Sequence, residues 1–144
     1  MDKHLPPRDI ARQLSDVLVE LRTLLSIAGI IFGFLLATSV VASGFSPLKQ
    51  VLFILSILSS ILAVGIFAIP IVYHHAKFPY PNVNKFIARS HQFTLLGFIP
   101  FVLMFLLTTT FALLDFFGLG AFLISLGLLG VFVVIYVSRH RLFH

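Results

Sequence analysis

Seven ionisable side chains of this sequence lie beside apolar segments, where they could move or sense protons. They are Asp16, Glu20, Arg22, His74, His75, Arg89 and His91. A carboxylate beside an imidazole in apolar surroundings titrates around neutral pH, which suits a proton relay or a pH-responsive gate. Glu20 and His91 are the pair that we expect to face each other if their helices form a bundle. The alternative, which we favour, is a structural collar in which Glu20 pairs with Arg22 or Arg89.

The histidines could also bind a metal ion together with Glu20. Adjacent side chains such as His74 and His75 diverge by about 100° on a helix, so both could bind one ion only if the helix had ended. His74, His75 and His91 do not have the His-x-x-x-His spacing of a helical metal site, and the sequence has no Cys-x-x-Cys motif. We therefore predict that the imidazoles anchor the helices at the membrane interface, and that the protein holds no metal and no other cofactor.

Motifs of known catalytic sites are missing from the sequence. It contains no Gly-x-Ser-x-Gly elbow, no phosphate-binding loop and no His-Glu-x-x-His motif. Ser90 and His91 are neighbours, and neighbouring side chains on a helix diverge, so they do not form a nucleophile and its base. We predict no catalytic residues and no enzymatic activity.

Asp115 is the one acidic residue expected at the opposite end of the molecule. It lies near the end of an apolar segment, where the dipole of a helix disfavours negative charge, so a partner is needed. Asp115 could attract cations to an outer mouth, or it could accept backbone N–H bonds from the turn at Gly118, which we favour.

The composition indicates that the chain lies in a lipid bilayer. Of its 144 residues 59% are hydrophobic and only 10% are charged, and the mean hydropathy is +1.09. These values are typical of an integral membrane protein. Since the basic residues flank apolar runs, topology explains the net charge of +5 better than a nucleic-acid partner does.

Four apolar segments predict a single four-helix transmembrane domain over residues 1–144. The fold class is all-α, an integral membrane four-helix bundle, with spans at about 24–43, 48–73, 93–114 and 121–138. An amphipathic helical segment on the cytoplasmic side precedes each of the first and third spans. The first is an arm, residues 1–22, in a helix that we expect from about Pro7 to Ser43. Pro70 and Pro100 are expected to kink the second and third helices.

The distribution of lysine and arginine predicts the orientation. One side carries Lys3, Arg8, Arg12, Arg22, Lys77, Lys85, Arg89, Arg139 and Arg141. The other side carries Lys49 alone. By the positive-inside rule both termini lie in the cytoplasm, and we expect a multi-pass protein of the cell membrane.

Small residues mark the surfaces where helices can approach closely. Gly29 and Gly33 have the small-xxx-small spacing in the first span, and Ser56, Ser60 and Ala63 share a face of the second. We predict that these residues pack helices together, either within the bundle or between subunits. The expected partners are the lipid bilayer and further membrane helices, from a second copy or from another protein.

Several short motifs occur in a fixed order along the chain. They are Glu20-Leu21-Arg22, Gly33-Phe34-Leu35-Leu36, Ala68-Ile69-Pro70 followed by His74, His91 with Gly97, and Asp115 ahead of Gly118. From Leu14 onward the sequence resembles a prokaryotic family of small four-span membrane proteins, domain of unknown function 6328. Three positions differ from what the resemblance leads us to expect. Gly29 stands where we expect a polar residue such as glutamine, and His75 and Gln92 each stand where we expect an arginine. The resemblance implies the fold and no activity.

Two functions remain from the sequence. In the first, which we favour, copies assemble around an axis and conduct or gate a small ion or a proton through a cytoplasmic vestibule. In the second, the protein is a non-catalytic accessory subunit that binds partner helices. The spans contain no charge at their centres, which weighs against the first function.

Overall fold

The computed structural model describes residues 7–79 and 82–142, with side chains at 9–79, 82–131 and 134. Its four helices are α1, Pro7–Thr38; α2, Pro47–Lys77; α3, Val83–Phe117; and α4, Gly120–Leu142. A short 3-10 helix, Ser39–Gly44, follows α1. The all-α fold with four helices is confirmed. Residues 7–22 of the predicted arm lie in the same helix as the first apolar segment, and residues 1–6 lie outside the described residues.

Proline and asparagine determine where the middle helices begin. Pro47 occupies the first position of α2, where its missing N–H costs no hydrogen bond, and Ser46 precedes it in an extended conformation. Asn82 caps α3, because its side-chain oxygen accepts the backbone N–H of Lys85 at 3.0 Å. Both residue types favour the start of a helix.

The ends of the helices differ from the sequence-based boundaries by a few residues. The first α-helix ends at Thr38 rather than near Ser43, because its last turns tighten into the 3-10 helix. The third helix continues past Asp115 to Phe117. It ends at Gly118, whose φ of 54° is unfavourable for a residue with a side chain.

Helices α2 and α3 form the most extensive interface, and small residues allow it. Ser56, Ser60 and Ala63 of α2 are fully buried. Further along, the ring of Phe67 fills the space that a side chain at position 97 would need. A Cβ added to Gly97 would lie 2.4 Å from Cε1 of Phe67, far inside van der Waals contact.

The outer helices pack on this pair from two sides. Helix α1 contacts α2 and α3, and α4 packs against α3. Leu21, Ala28 and Leu35 form the buried seam of α1, at intervals of seven residues. Leu21 and Ala28 join one apolar cluster with Phe67, and Leu35 joins a second with Phe53 and Phe111.

Three helices are long and apolar enough to cross a membrane: Asp9–Gly44, Pro47–Lys77 and Val83–Phe117. Each exceeds the roughly 20 residues that about 30 Å of hydrocarbon requires. In α4 the part with described side chains, Gly120–Val131, is apolar but shorter. The chain is thus compatible with a membrane protein, while the fourth span and the cytoplasmic termini stay predictions.

We expect Gly97→Ala to lower the free energy of unfolding by about 1–3 kcal/mol, because the buried Phe67 ring has no space to retreat. The measurement is a denaturation curve in detergent followed by circular dichroism. Gly65→Ala is the matched control, since an added Cβ at that position of α2 meets no atom within 4 Å. Equal stability of the two variants would contradict the close approach of α3 to α2.

Candidate functional site

The seven ionisable residues predicted to form a site lie at one end of the bundle, which we call the histidine end. It comprises residues 9–22 of α1, 70–79 of α2 and 82–91 of α3. His74 is half-buried, and the other six side chains are exposed. Asp16 pairs with Arg12, one turn before it, at 4.0 Å on the open surface. Such an exposed pair contributes little stability.

Glu20 is not brought together with its expected partners. It forms no ion pair with Arg22, Arg89 or His91, all of which the structure describes. The collar based on Glu20 is therefore wrong as we drew it. Among the side chains that the structure describes, at 9–79, 82–131 and 134, no group of three histidine, aspartate or glutamate residues lies close enough to hold a metal ion.

His74 packs among several other rings. It lies just beyond the apolar segment 48–73, with its ring centroid 5.6 Å from that of His75 and 5.3 Å from that of Phe78. Burial lowers the pKa of His74, and the charges of His75 and Arg22 lower it further. The environment thus favours the neutral imidazole.

The opposite end, which we call the Asp115 end, holds a compact ion pair. Lys49 at the start of α2 binds the carboxylate of Asp115 near the end of α3. The ammonium also lies 5.0 Å from the ring centroid of Phe45 and 5.2 Å from that of Phe111. Cation–π attraction therefore adds to the ion pair. Only 15% of the lysine side chain is exposed, against 64% of the aspartate.

This pairing corrects the prediction for Asp115. We expected its carboxylate to accept N–H bonds from the Gly118 turn, but the N–H of Gly118 donates to the carbonyl of Leu114 at 2.8 Å. The N–H of the turn thus bonds to the backbone of its own helix, and the Asp115 carboxylate binds Lys49 instead. The sequence contained the signal, since Lys49 and Asp115 were the only opposite charges predicted on that side.

Hydroxyl groups in the bundle mostly bond to their own helices. Ser56 donates to the carbonyl of Leu52 at 2.8 Å, and Ser60 donates to that of Ser56 at 2.7 Å. Thr109 and Thr110 donate to the preceding turn of α3 in the same way. These groups are satisfied within each helix and do not require water.

Among the predicted packing residues, the two glycines differ from the small residues of α2. Gly29 and Gly33 face outward, and a Cβ at either position would meet no atom within 4 Å. The two glycines therefore pack against none of the side chains that the structure describes, and packing between subunits stays a prediction. Pro70 and Pro100 lie inside α2 and α3, which continue past them.

A cavity of about 450 Å³ between α2 and α3 at the histidine end was not predicted. Of the seven predicted site residues, Arg89 alone lines it. A signal was present, because Asn82, Lys85 and Arg89 follow helical spacing and so share one face of α3.

We expect a double-mutant cycle of Lys49→Met and Asp115→Asn to give a coupling energy of about 1 kcal/mol, because the lysine is largely buried against two rings. Unfolding in detergent measures it. Arg12→Gln with Asp16→Asn is the control cycle, and this exposed pair should give about 0.3 kcal/mol. A smaller coupling at the Asp115 end than in the control would refute the role of the buried lysine.

We expect His74 to titrate below the ordinary histidine pKa of 6.5 in an NMR titration of labelled protein. His75→Gln and Arg22→Gln should each raise its midpoint, because each removes a positive neighbour, while His91→Gln should leave it unchanged. The folded-state pKa of His74 lies below the value of about 6.5 in the unfolded chain. Because the unfolded chain then binds the proton more readily, the free energy of unfolding decreases as the pH falls below about 6.5. A midpoint above 6.5 is the contrary result.

The comparison with known proteins gives a family and no function. No curated protein and no solved structure matches the chain. Residues 6–140, nearly the whole chain, match the family of unknown function DUF6328. The sequence resemblance is therefore confirmed, and the chain belongs to that family.

Proposed function

We propose that this protein is a non-catalytic, multi-pass membrane protein that works as an assembly of identical copies, which meet along the outer face of α1. That surface, the glycine face, consists of Ser26, Gly29, Gly33 and Ala37. All four residues are exposed. They repeat at intervals of three or four residues and so form one line along the helix.

The position of the glycine face opposite the buried seam is the observation that carries the proposal. One side of α1 packs against the bundle, since its residues Leu21, Ala28 and Leu35 are fully buried. Gly33 lies about 140° around the helix from Ala28, at 100° per residue. The glycine face thus has no partner in its own bundle among the residues that the structure describes.

The chemistry of the glycine face suits another helix better than lipid. Lipid tails are as apolar as leucine, so association in a bilayer depends on close van der Waals contact, which small residues permit. The Ser26 hydroxyl donates to the carbonyl of Arg22 at 2.8 Å and is therefore already satisfied. A flat, satisfied surface of this kind allows two backbones to approach.

The histidine end supports a non-catalytic role. Six side chains of this end are exposed, and none of the ion pairs among the described side chains joins two of them: Asp16, Glu20, Arg22, His75, Arg89 and His91. A general acid and base must lie within hydrogen-bond reach of the same substrate. The arrangement of these described residues does not favour acid–base catalysis.

The packed interior bears on the ion conduit that the sequence suggested. Leu21, Phe67 and Met104 are fully buried and fill the centre of one bundle. Since these apolar side chains leave little room for water, a conduit for ions or protons requires a path between copies. Self-association is therefore the property to test first.

We expect the double variant Gly29→Ile and Gly33→Ile to weaken self-association at least about tenfold, because branched side chains prevent close approach. Energy transfer between labelled copies in liposomes of varied protein density measures it. Gly65→Ile is the matched control, since Gly65 of α2 also faces open space. Proton flux into the same liposomes tests whether the assembly conducts.

Wild-type protein that stays monomeric at every density would overturn the proposal and favour the accessory subunit. So would equal association of the double variant and the wild type. Association without proton flux would leave the assembly standing and refute the conduit.

A further inference from the structure

The cavity at the histidine end has a polar part and an apolar part. Its walls include the polar side chains of Asn82, Lys85 and Arg89 and the apolar side chains of Ile69, Pro70 and Phe93. Lys85 and Arg89 are one helical turn apart on α3, so both cations can approach the same anion. The cavity therefore offers positive charge next to an apolar wall.

Ser90, which also lines the cavity, has a buried hydroxyl without a partner. Its side chain is 1% exposed, and its Oγ makes no hydrogen bond. Other buried hydroxyls, such as those of Ser60 and Thr94, donate to the carbonyl four residues earlier. A buried polar atom without a hydrogen bond is destabilising, so the Ser90 hydroxyl has a strong requirement for an acceptor.

No acidic side chain that the structure describes neutralises the cations of the cavity. Among the side chains at 9–79, 82–131 and 134, the ion pairs are Arg12–Asp16 and Lys49–Asp115, and neither involves Lys85 or Arg89. Lys85 also lies in the first turn of α3, where the helix dipole adds positive potential. The charge balance favours an anion.

We propose that this cavity binds an anionic phospholipid of the surrounding leaflet. The phosphate lies between Lys85 and Arg89, and the Ser90 hydroxyl donates to an oxygen of the phosphate or of the adjoining ester. The start of an acyl chain runs along Ile69, Pro70 and Phe93. Basic recesses between membrane helices are known to hold anionic headgroups in this way.

The size and the position of the cavity fit this ligand. Its volume of about 450 Å³ is within the roughly 300–1,000 Å³ of small-molecule sites, and it suits a phosphate, a glycerol and a few methylenes. Ser90 lies just before the predicted third span and Phe93 lies at its start, which is where we expect the lipid headgroups. The proposal does not depend on self-association.

Native mass spectrometry of the detergent-purified protein, titrated with phosphatidylglycerol or with phosphatidylcholine, tests the proposal. We expect phosphatidylglycerol to bind in preference, with one lipid retained most strongly. Lys85→Gln with Arg89→Gln should weaken that binding about 25-fold, at about 1 kcal/mol for each cation. Ser90→Ala should weaken it about three- to tenfold.

Two control variants separate the site from general effects. Lys77→Gln removes a nearby exposed cation that does not line the cavity. Thr108→Ala removes the other buried hydroxyl without a partner, which lies far along α3. Neither should change the affinity for phosphatidylglycerol. Equal unfolding transitions of all variants establish that lost binding is not lost folding.

Three outcomes would overturn the proposal. The first is equal affinity for the two lipids, and the second is unchanged binding in the double variant of Lys85 and Arg89. The third is binding of glycerol 3-phosphate as tight as that of the lipid, which would identify a site for soluble phosphate esters.

Discussion

The contact between Gly97 and Phe67 is the constraint on which the rest of the bundle depends. In lipid, apolar side chains gain little by leaving the solvent, so helices adhere through close packing rather than through the hydrophobic effect. Close packing requires that one helix offers space where the other offers volume. Gly97 provides the space, and the fully buried Phe67 ring fills it. Helix α1 packs on both members of this pair, and α4 packs on α3.

The two ends of the α2–α3 pair differ in whether their charges are balanced by a partner. At the Asp115 end a single lysine and a single acid neutralise each other over two aromatic rings, so no net charge remains there. At the histidine end Arg22, Lys77, Lys85 and Arg89 are exposed, and the acids near them do not pair with them. The net charge is therefore concentrated at one end, as the positive-inside rule predicts for the cytoplasmic side.

The sequence predicted the helices well, because their signals are local. Pro47 and Asn82 determine the starts of α2 and α3 through their own backbone and side-chain chemistry, whatever lies opposite. The role of each glycine, by contrast, depends on residues that are distant in the sequence. Gly29 and Gly33 have the spacing of a packing motif but face outward. Gly97 has no such spacing, yet it lies directly against the Phe67 ring. The difference is Phe67, which is thirty residues away in sequence.

The candidate site shows the same limit of local reasoning. Helical periodicity correctly separates Ser90 from His91, since the serine is buried and the histidine is exposed. Periodicity also places Ser90 on the face of Phe86 and Phe93, but it cannot show what α2 presents there. Pro70 and Ile69 stand opposite and leave a cavity instead of a packed contact. A serine that would elsewhere bond to its own helix thus lies beside two cations that pair with no described acidic side chain. This combination makes the cavity chemically distinct from the packed interface beyond it.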